Sequence, residues 1–172
     1  MSHTSTPAGA FHASADLLDG HAVYDAVPLG ALIRYSDGTP RPPERFTRKL
    51  RAWKGTNGTG RLVEKSPPSA LVGATYPAGF TLHEGDFASN GIIVMVVRRI
   101  YHVTTAMHFE IVELPQAGAV RLLTRWNGRD ELKYLASHMA AAEAWMQRNR
   151  YSNLVTEIVG SDEPSVQIGR AA

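Results

Sequence analysis

The sequence predicts an α+β fold: an antiparallel sheet of about five to six strands packed by one long C-terminal amphipathic helix, with a loop-rich basic insertion. Two observations predict it. Met107, Phe109 and Ile111 alternate with His108 and Glu110, the period-two signature of a half-buried strand. Leu132, Leu135, Met139, Ala142 and Met146 recur at spacings of three and four, the signature of an apolar helix face. Strands, then a helix, then a final strand argue against a regularly alternating α/β sheet.

Residues 1–20, rich in Ser, Thr, Ala, Gly and His, read as a flexible tail, and 21–160 as a single domain. Leu29 to Tyr35 form an apolar group closed by Ser36-Asp37-Gly38-Thr39-Pro40, which has the chemistry of a turn. After Pro40, Pro42 and Pro43, the segment Glu44 to Lys54 spaces Phe46, Leu50 and Trp53 at helical intervals, so a short helix is expected to dock that face on the core. Gly55 to Gly60 is expected to end the helix in a flexible loop, because three glycines in six residues favour backbone freedom.

Ser66 to Ser69 and Tyr76 to Gly79 break the middle of the chain into turns. Ile92 to Val97 (IIVMVV) is the longest apolar run and reads as a buried strand, continuing to Val103. A further strand spans Val120 to Trp126 and is closed by Asn127-Gly128. The long helix is placed over Arg129 to Asn149, with Asp130 and Glu131 in its first turn and Arg148 at its end, as the helix dipole favours. Leu154 to Val159 reads as the last strand and 161–172 as a second flexible tail.

With 44% hydrophobic and 20% charged residues among 172, the chain has the composition of a globular protein. No cysteine is present, which excludes disulfides, thiolate metal sites and a cysteine nucleophile, and points to a cytoplasmic setting. No secretory signal is recognisable, and the longest apolar run is far short of the roughly 20 residues that span a bilayer, so no membrane association is expected.

The charge is unevenly placed. Between Arg41 and Lys65 eight cations face two acids, a net +6, while the remainder carries 10 cations and 14 acids, a net −4. An acidic chain with one basic, Trp-containing stretch has the layout of a phosphate-backbone reader. Arg45, Arg48, Lys49, Arg51, Lys54 and Arg61 are therefore the candidate contacts to DNA or RNA, with Trp53 either stacking on a base or anchoring the basic helix. The glycines that follow could present backbone amides to a phosphate. The bland alternative is a solvated helix whose Arg and Lys stems cover apolar surface.

Other chemistry finds less support. Gly55 to Leu62 has the glycine spacing of a nucleotide-binding loop, but Arg61 stands where Lys is required and Leu62 where Ser or Thr is required. His83, Glu84 and Asp86, with His102 and His108, could converge across strands, yet no ligand spacing demands a metal site, so neither metal nor cofactor is expected. No Gly-x-Ser-x-Gly elbow occurs and catalysis is not expected. The rival readings are a ligand-binding domain or enzyme with a pocket between sheet and helix, and an assembly module that uses an exposed sheet edge and forms a homo-oligomer.

Overall fold

The structure, a computed structural model, describes residues 17–71, 73–161 and 163. Of the tails expected over 1–20 and 161–172, residues 1–16, 162 and 164–172 lie outside the described residues. In chain order the elements are α1 (Gly20–Ala26), β1 (Leu32–Ser36), α2 (Thr47–Thr56), β2 (Gly58–Ser66), β3 (Ser69–Leu71), β4 (Ala74–Tyr76), β5 (Gly79–Ser89), β6 (Ile92–His102), β7 (His108–Glu113), β8 (Val120–Trp126), β9 (Arg129–Ala136), α3 (Met139–Arg148) and β10 (Leu154–Ile158).

The protein is therefore mostly antiparallel β, with an eight-stranded sheet and three short helices among the described residues. The α+β architecture with one long helix over the sheet is not what forms. The path runs β10-β8-β9-β2-β1-β7, with β5 leaving it from β2 and β6 pairing with β5. β3 and β4 make a separate two-stranded hairpin.

Two main cores and a smaller third cluster lie along this path. Ile33, Leu62, Phe80, Leu82 and Phe109 pack with Val23 and Val27 of α1 and are fully buried, with Phe80 and Phe109 edge-on at 5.2 Å. Val120, Leu122, Ala136 and Ala142 pack α3 on β8 and β9, and Val63, Leu123 and Leu132 form a third cluster where β2 approaches β9. β2 and β9 are joined by a single bridge, Glu64 to Glu131.

The long helix over Arg129 to Asn149 is replaced by a strand and a ten-residue helix. Asn127 and Gly128 take positive φ (49° and 74°), the backbone of a two-residue hairpin turn, so the chain reverses and Arg129–Ala136 pairs antiparallel with β8. Asp130, expected in a first helical turn, instead forms a two-pronged ion pair with Arg125 across the hairpin, at 2.6 and 2.8 Å. Helix α3 starts only at His138, whose Nδ1 accepts from the Ala141 amide at 3.2 Å.

Two further expectations change. Gly58 and Gly60 stand inside β2 rather than in a loop. A Cβ at Gly58 would lie 2.5 Å from Tyr35 Oη, and one at Gly60 would lie 2.9 Å from Leu82 Cβ, so the glycines serve close strand packing. Ile92 to Val97 is a strand as expected, but it is not buried: from Val96 at 46% to Ile92 at 69%, its first five side chains are exposed.

Candidate functional site

The basic segment divides between two places. Arg45, Arg48, Lys49, Arg51 and Lys54 are all exposed on or beside α2, whereas Arg61 lies in β2 and donates to the Gly30 carbonyl. Arg61 is thus spent on the backbone before β1. At 100° per residue, Lys54, Arg51, Arg48 and Lys49 follow one another around one arc of the helix, and Leu50 and Trp53 occupy the other.

Helix α2 does not dock an apolar face on the core, because none of its residues is buried. It is held by polar ties to the turn after β1. Trp53 Nε1 donates to the Thr39 carbonyl at 2.9 Å, so the half-buried indole anchors the helix. The Asp37 carboxylate accepts from the Thr39 amide and hydroxyl, from Thr56 Oγ1 at 2.6 Å and from Asn57 Nδ2 at 3.0 Å. These donors, the Thr39 hydroxyl foremost, hold the Asp37 carboxyl well below the usual carboxylate range.

Among the described residues, none of the five cations of this segment is in an ion pair with an acid. Arg41 is the exception at its margin, 3.2 Å from Glu44. Arg45 and Lys49 lie 4.9 and 5.4 Å from the Phe46 ring centroid, a contact that keeps the charge. Elsewhere Arg34 pairs with Glu110, Arg98 with Glu131, Arg99 with Glu84 and Arg125 with Asp130, while Arg61, Lys65, Arg148 and Arg150 are dispersed and in no ion pair among the described residues. The densest group of cations without an acid lies on and beside α2.

A second feature lies at the β5–β6 hairpin. A concavity of about 580 Å³ is bounded by Ile93 and Val96 on the hairpin and by Leu132 to Ser137 of the β9 region. His83 and Asp86, three residues apart on β5 at its wall, hydrogen-bond at 2.8 Å, and Arg98 and Lys133 lie 2.8 and 2.6 Å from opposite oxygens of Glu131. Lys133 and Arg98 hold the Glu131 carboxyl below its ordinary range although burial works against them. Of the other charged groups lining the concavity, Arg61 donates to the Gly30 carbonyl and Glu113 is in no ion pair among the described residues.

The root of the hairpin is anchored by Glu84. A bulge between His83 and Gly85 leaves Glu84 opposite no partner in β6 and re-aims it inward, where it accepts from Tyr35 Oη and Arg99 Nε. The Arg99 guanidinium lies 5.2 Å from the Tyr35 ring centroid. Burial, then the bond to Glu84, push the Tyr35 hydroxyl far above its usual range.

The histidines do not converge: His83 pairs in register with Arg98, His102 with Gly79 and His108 with Ser36. Among the described residues no group of three His, Asp or Glu could hold a metal ion. No helix among them is long and apolar enough to cross a membrane.

The exposed hairpin is the feature that sequence reasoning missed. Its signal was Asn90-Gly91, whose positive φ values of 51° and 77° make the same two-residue turn as Asn127-Gly128.

No curated protein and no solved structure matches this chain. A family model described as uncharacterised conserved protein UCP036055 matches residues 18–163, and the chain belongs to that family. The ends of the match are structurally tied. Leu18 bridges to Phe109, and Glu163 accepts from the buried Arg121.

Proposed function

We propose that this family member binds nucleic acid through the phosphate backbone, with Arg45, Arg48, Lys49, Arg51 and Lys54 as the contacting groups. The observation that carries the reading is the contrast in pairing: five exposed cations on or beside a helix that buries nothing are in no ion pair among the described residues, while Arg34, Arg98, Arg99, Arg121, Arg125, Arg129 and Lys133 of the sheet are each paired with an acid. A helix whose side chains are not needed for packing is free to offer them to a partner. Phosphates gain most from cations that have no other charge to leave.

The mode is backbone contact without base readout. Trp53 is engaged by Thr39 and acts as the anchor that presents the arc, and the exposed Phe46 ring is held by Arg45 and Lys49. Arg61 is not part of the surface, because its guanidinium is held by Gly30.

The test is fluorescence anisotropy of labelled single- and double-stranded oligonucleotides over a range of salt concentrations. If each of the five cations neutralises one duplex phosphate, log K falls against log salt with a slope of about −4.5. Changing Arg48, Lys49 and Arg51 to Ala makes that slope shallower by about 2.7, whereas Arg125→Ala, which removes an internally paired cation, leaves it unchanged. Absence of binding at low salt, or a triple variant with the parent slope, refutes the proposal.

A further inference from the structure

We infer that the distal β5–β6 hairpin is a self-association arm, covered in solution by the same arm of a second copy with the two β6 strands antiparallel about a two-fold axis. The inference is independent of the nucleic-acid reading, since it concerns a different surface with no charge on it.

The arm is apolar where a lone hairpin cannot be. From Phe87 to Val97 eleven residues contain no charged side chain, and Phe87, Ile92, Ile93, Val94, Met95 and Val96 are all roughly half exposed or more. Ile93 and Val96 face the concavity, and their neighbours Ile92, Val94 and Met95 are equally open, so solvent meets both faces of the ribbon. A two-stranded ribbon without a covered face is at best marginal in water. Here the two-stranded part pairs Gly85 to Ser89 with Ile92 to Val97, beyond the last β2 pairing at His83, and is rooted by Glu84 and Arg99.

The outer edge of β6 is also free. Among the described residues β6 pairs with β5 alone, so its outward amides and carbonyls have no neighbouring strand there. Other strands near sheet edges carry charge, Glu157 on β10 and Glu110 and Glu113 on β7. The run Ile92 to Val97 carries neither charge nor proline, the usual guards against edge pairing. A bulge at Val94 adds twist without polarity.

Edge chemistry and charge select the occupant. Edge pairing covers only part of the roughly 600 Å² that the six side chains expose on each copy, so the dimer is a small interface held chiefly by the main-chain ladder and forms at micromolar concentration. Antiparallel pairing centred on Met95 sets Met95 against its own copy, Val94 against Val96 and Ile93 against Val97. It carries Arg98 to the partner's turn rather than against its own copy, so no like charges meet. A bilayer is disfavoured, because an open strand edge cannot satisfy its backbone groups in hydrocarbon. A polyanion has nothing to bind on an uncharged arm.

The test uses the full chain and its lack of cysteine. Sedimentation equilibrium is expected to give twice the 18.8 kDa chain mass at micromolar concentration, insensitive to salt and to nuclease. Ile93→Glu with Met95→Glu converts it to monomer with unchanged circular dichroism and retained salt-dependent oligonucleotide binding at α2. Met95→Cys, on the proposed axis, cross-links to a covalent dimer on mild oxidation, whereas Ala144→Cys on α3 does not. A wild-type monomer at 100 μM, a dimer indifferent to the glutamates, or cross-linking no greater than that of Ala144→Cys overturns the inference. So does sedimentation of the monomer with neutral phosphatidylcholine vesicles, which assigns the arm to a lipid surface.

Discussion

Replacing Arg121 by Ala tests whether one buried guanidinium ties three parts of the chain together. Arg121 stands in β8 with its side chain 3% exposed. Its Nε donates to the Leu29 carbonyl at 2.8 Å, its Nη1 to Glu157 at 2.8 Å, and its two terminal nitrogens to both oxygens of Glu163, Nη2 at 2.6 Å. It therefore links the segment before β1, strand β10 and the chain beyond it. Removing one partner of a buried pair costs about 3–5 kcal/mol where the orphaned charge stays dry. Glu157 and Glu163 are 48% and 28% exposed, so water recovers part of their solvation and the lower end applies, about 3 kcal/mol. At roughly 2–4 °C per kcal/mol for a chain of this size, Tm falls by about 6–12 °C. Urea unfolding followed by circular dichroism measures it, with Arg121→Lys expected to lose about half as much because it keeps charge but not the fork. A loss under about 0.5 kcal/mol for Arg121→Ala would show that the guanidinium is not holding these segments.

The close approach at Gly58 predicts that Gly58→Ala costs about 1–3 kcal/mol in urea unfolding, because the new methyl meets a Tyr35 hydroxyl held by Glu84, whereas Gly55→Ala, with nothing within 4 Å, is neutral or mildly stabilising. A destabilising Gly55→Ala with a silent Gly58→Ala would reverse that reasoning. Asp37 is held low by its donors, so its contribution to stability is present above the unfolded carboxylate range near pH 4 and is lost as pH falls toward its lower folded value. Asp37→Asn is expected to abolish that acid-side loss and to loosen α2, read as faster amide exchange over 47–56. Tyr35 and Tyr101 are both raised, chiefly by burial, so the unfolded chain gives up those protons first and stability falls as pH rises above about 10. In Tyr35→Phe the alkaline slope of the urea midpoint should be shallower, and an unchanged slope would count against the burial of that hydroxyl.

What was legible in the sequence was local. The period-two alternation around Phe109, the strand Leu154–Ile158 and the existence of α2 all follow from side-chain spacing, and each is present. The failure over Arg129 to Asn149 shows how two signals compete. Leu132, Leu135 and Met139 sit at helical spacing, but Leu132 and Ala136 also lie on one face of a strand and are both buried there. The Asn127-Gly128 turn decided between them, because it brings β9 back onto β8 with seven paired positions, a non-local gain that no window of helical periodicity contains. The basic site was legible as composition and not as geometry. Arg61 and Lys54 are seven residues apart, yet one donates to Gly30 in the sheet and the other is exposed on α2.

The arm exposes a deeper limit of pattern reading. IIVMVV reads as a buried strand because apolar runs lose most by staying in water, and that inference assumes the chain must bury them against itself. The turn at Asn90-Gly91 pairs this run with Gly85 to Ser89 alone, and every other strand long enough to cover it is already committed to the two cores. The driving force inferred from the sequence is therefore real but not discharged within one chain. The two proposals start from different groups that the fold leaves unsatisfied: cations without acids on α2, and apolar side chains without cover on β6. Because one is weakened by salt and the other is not, ionic strength alone separates the two surfaces in a single preparation.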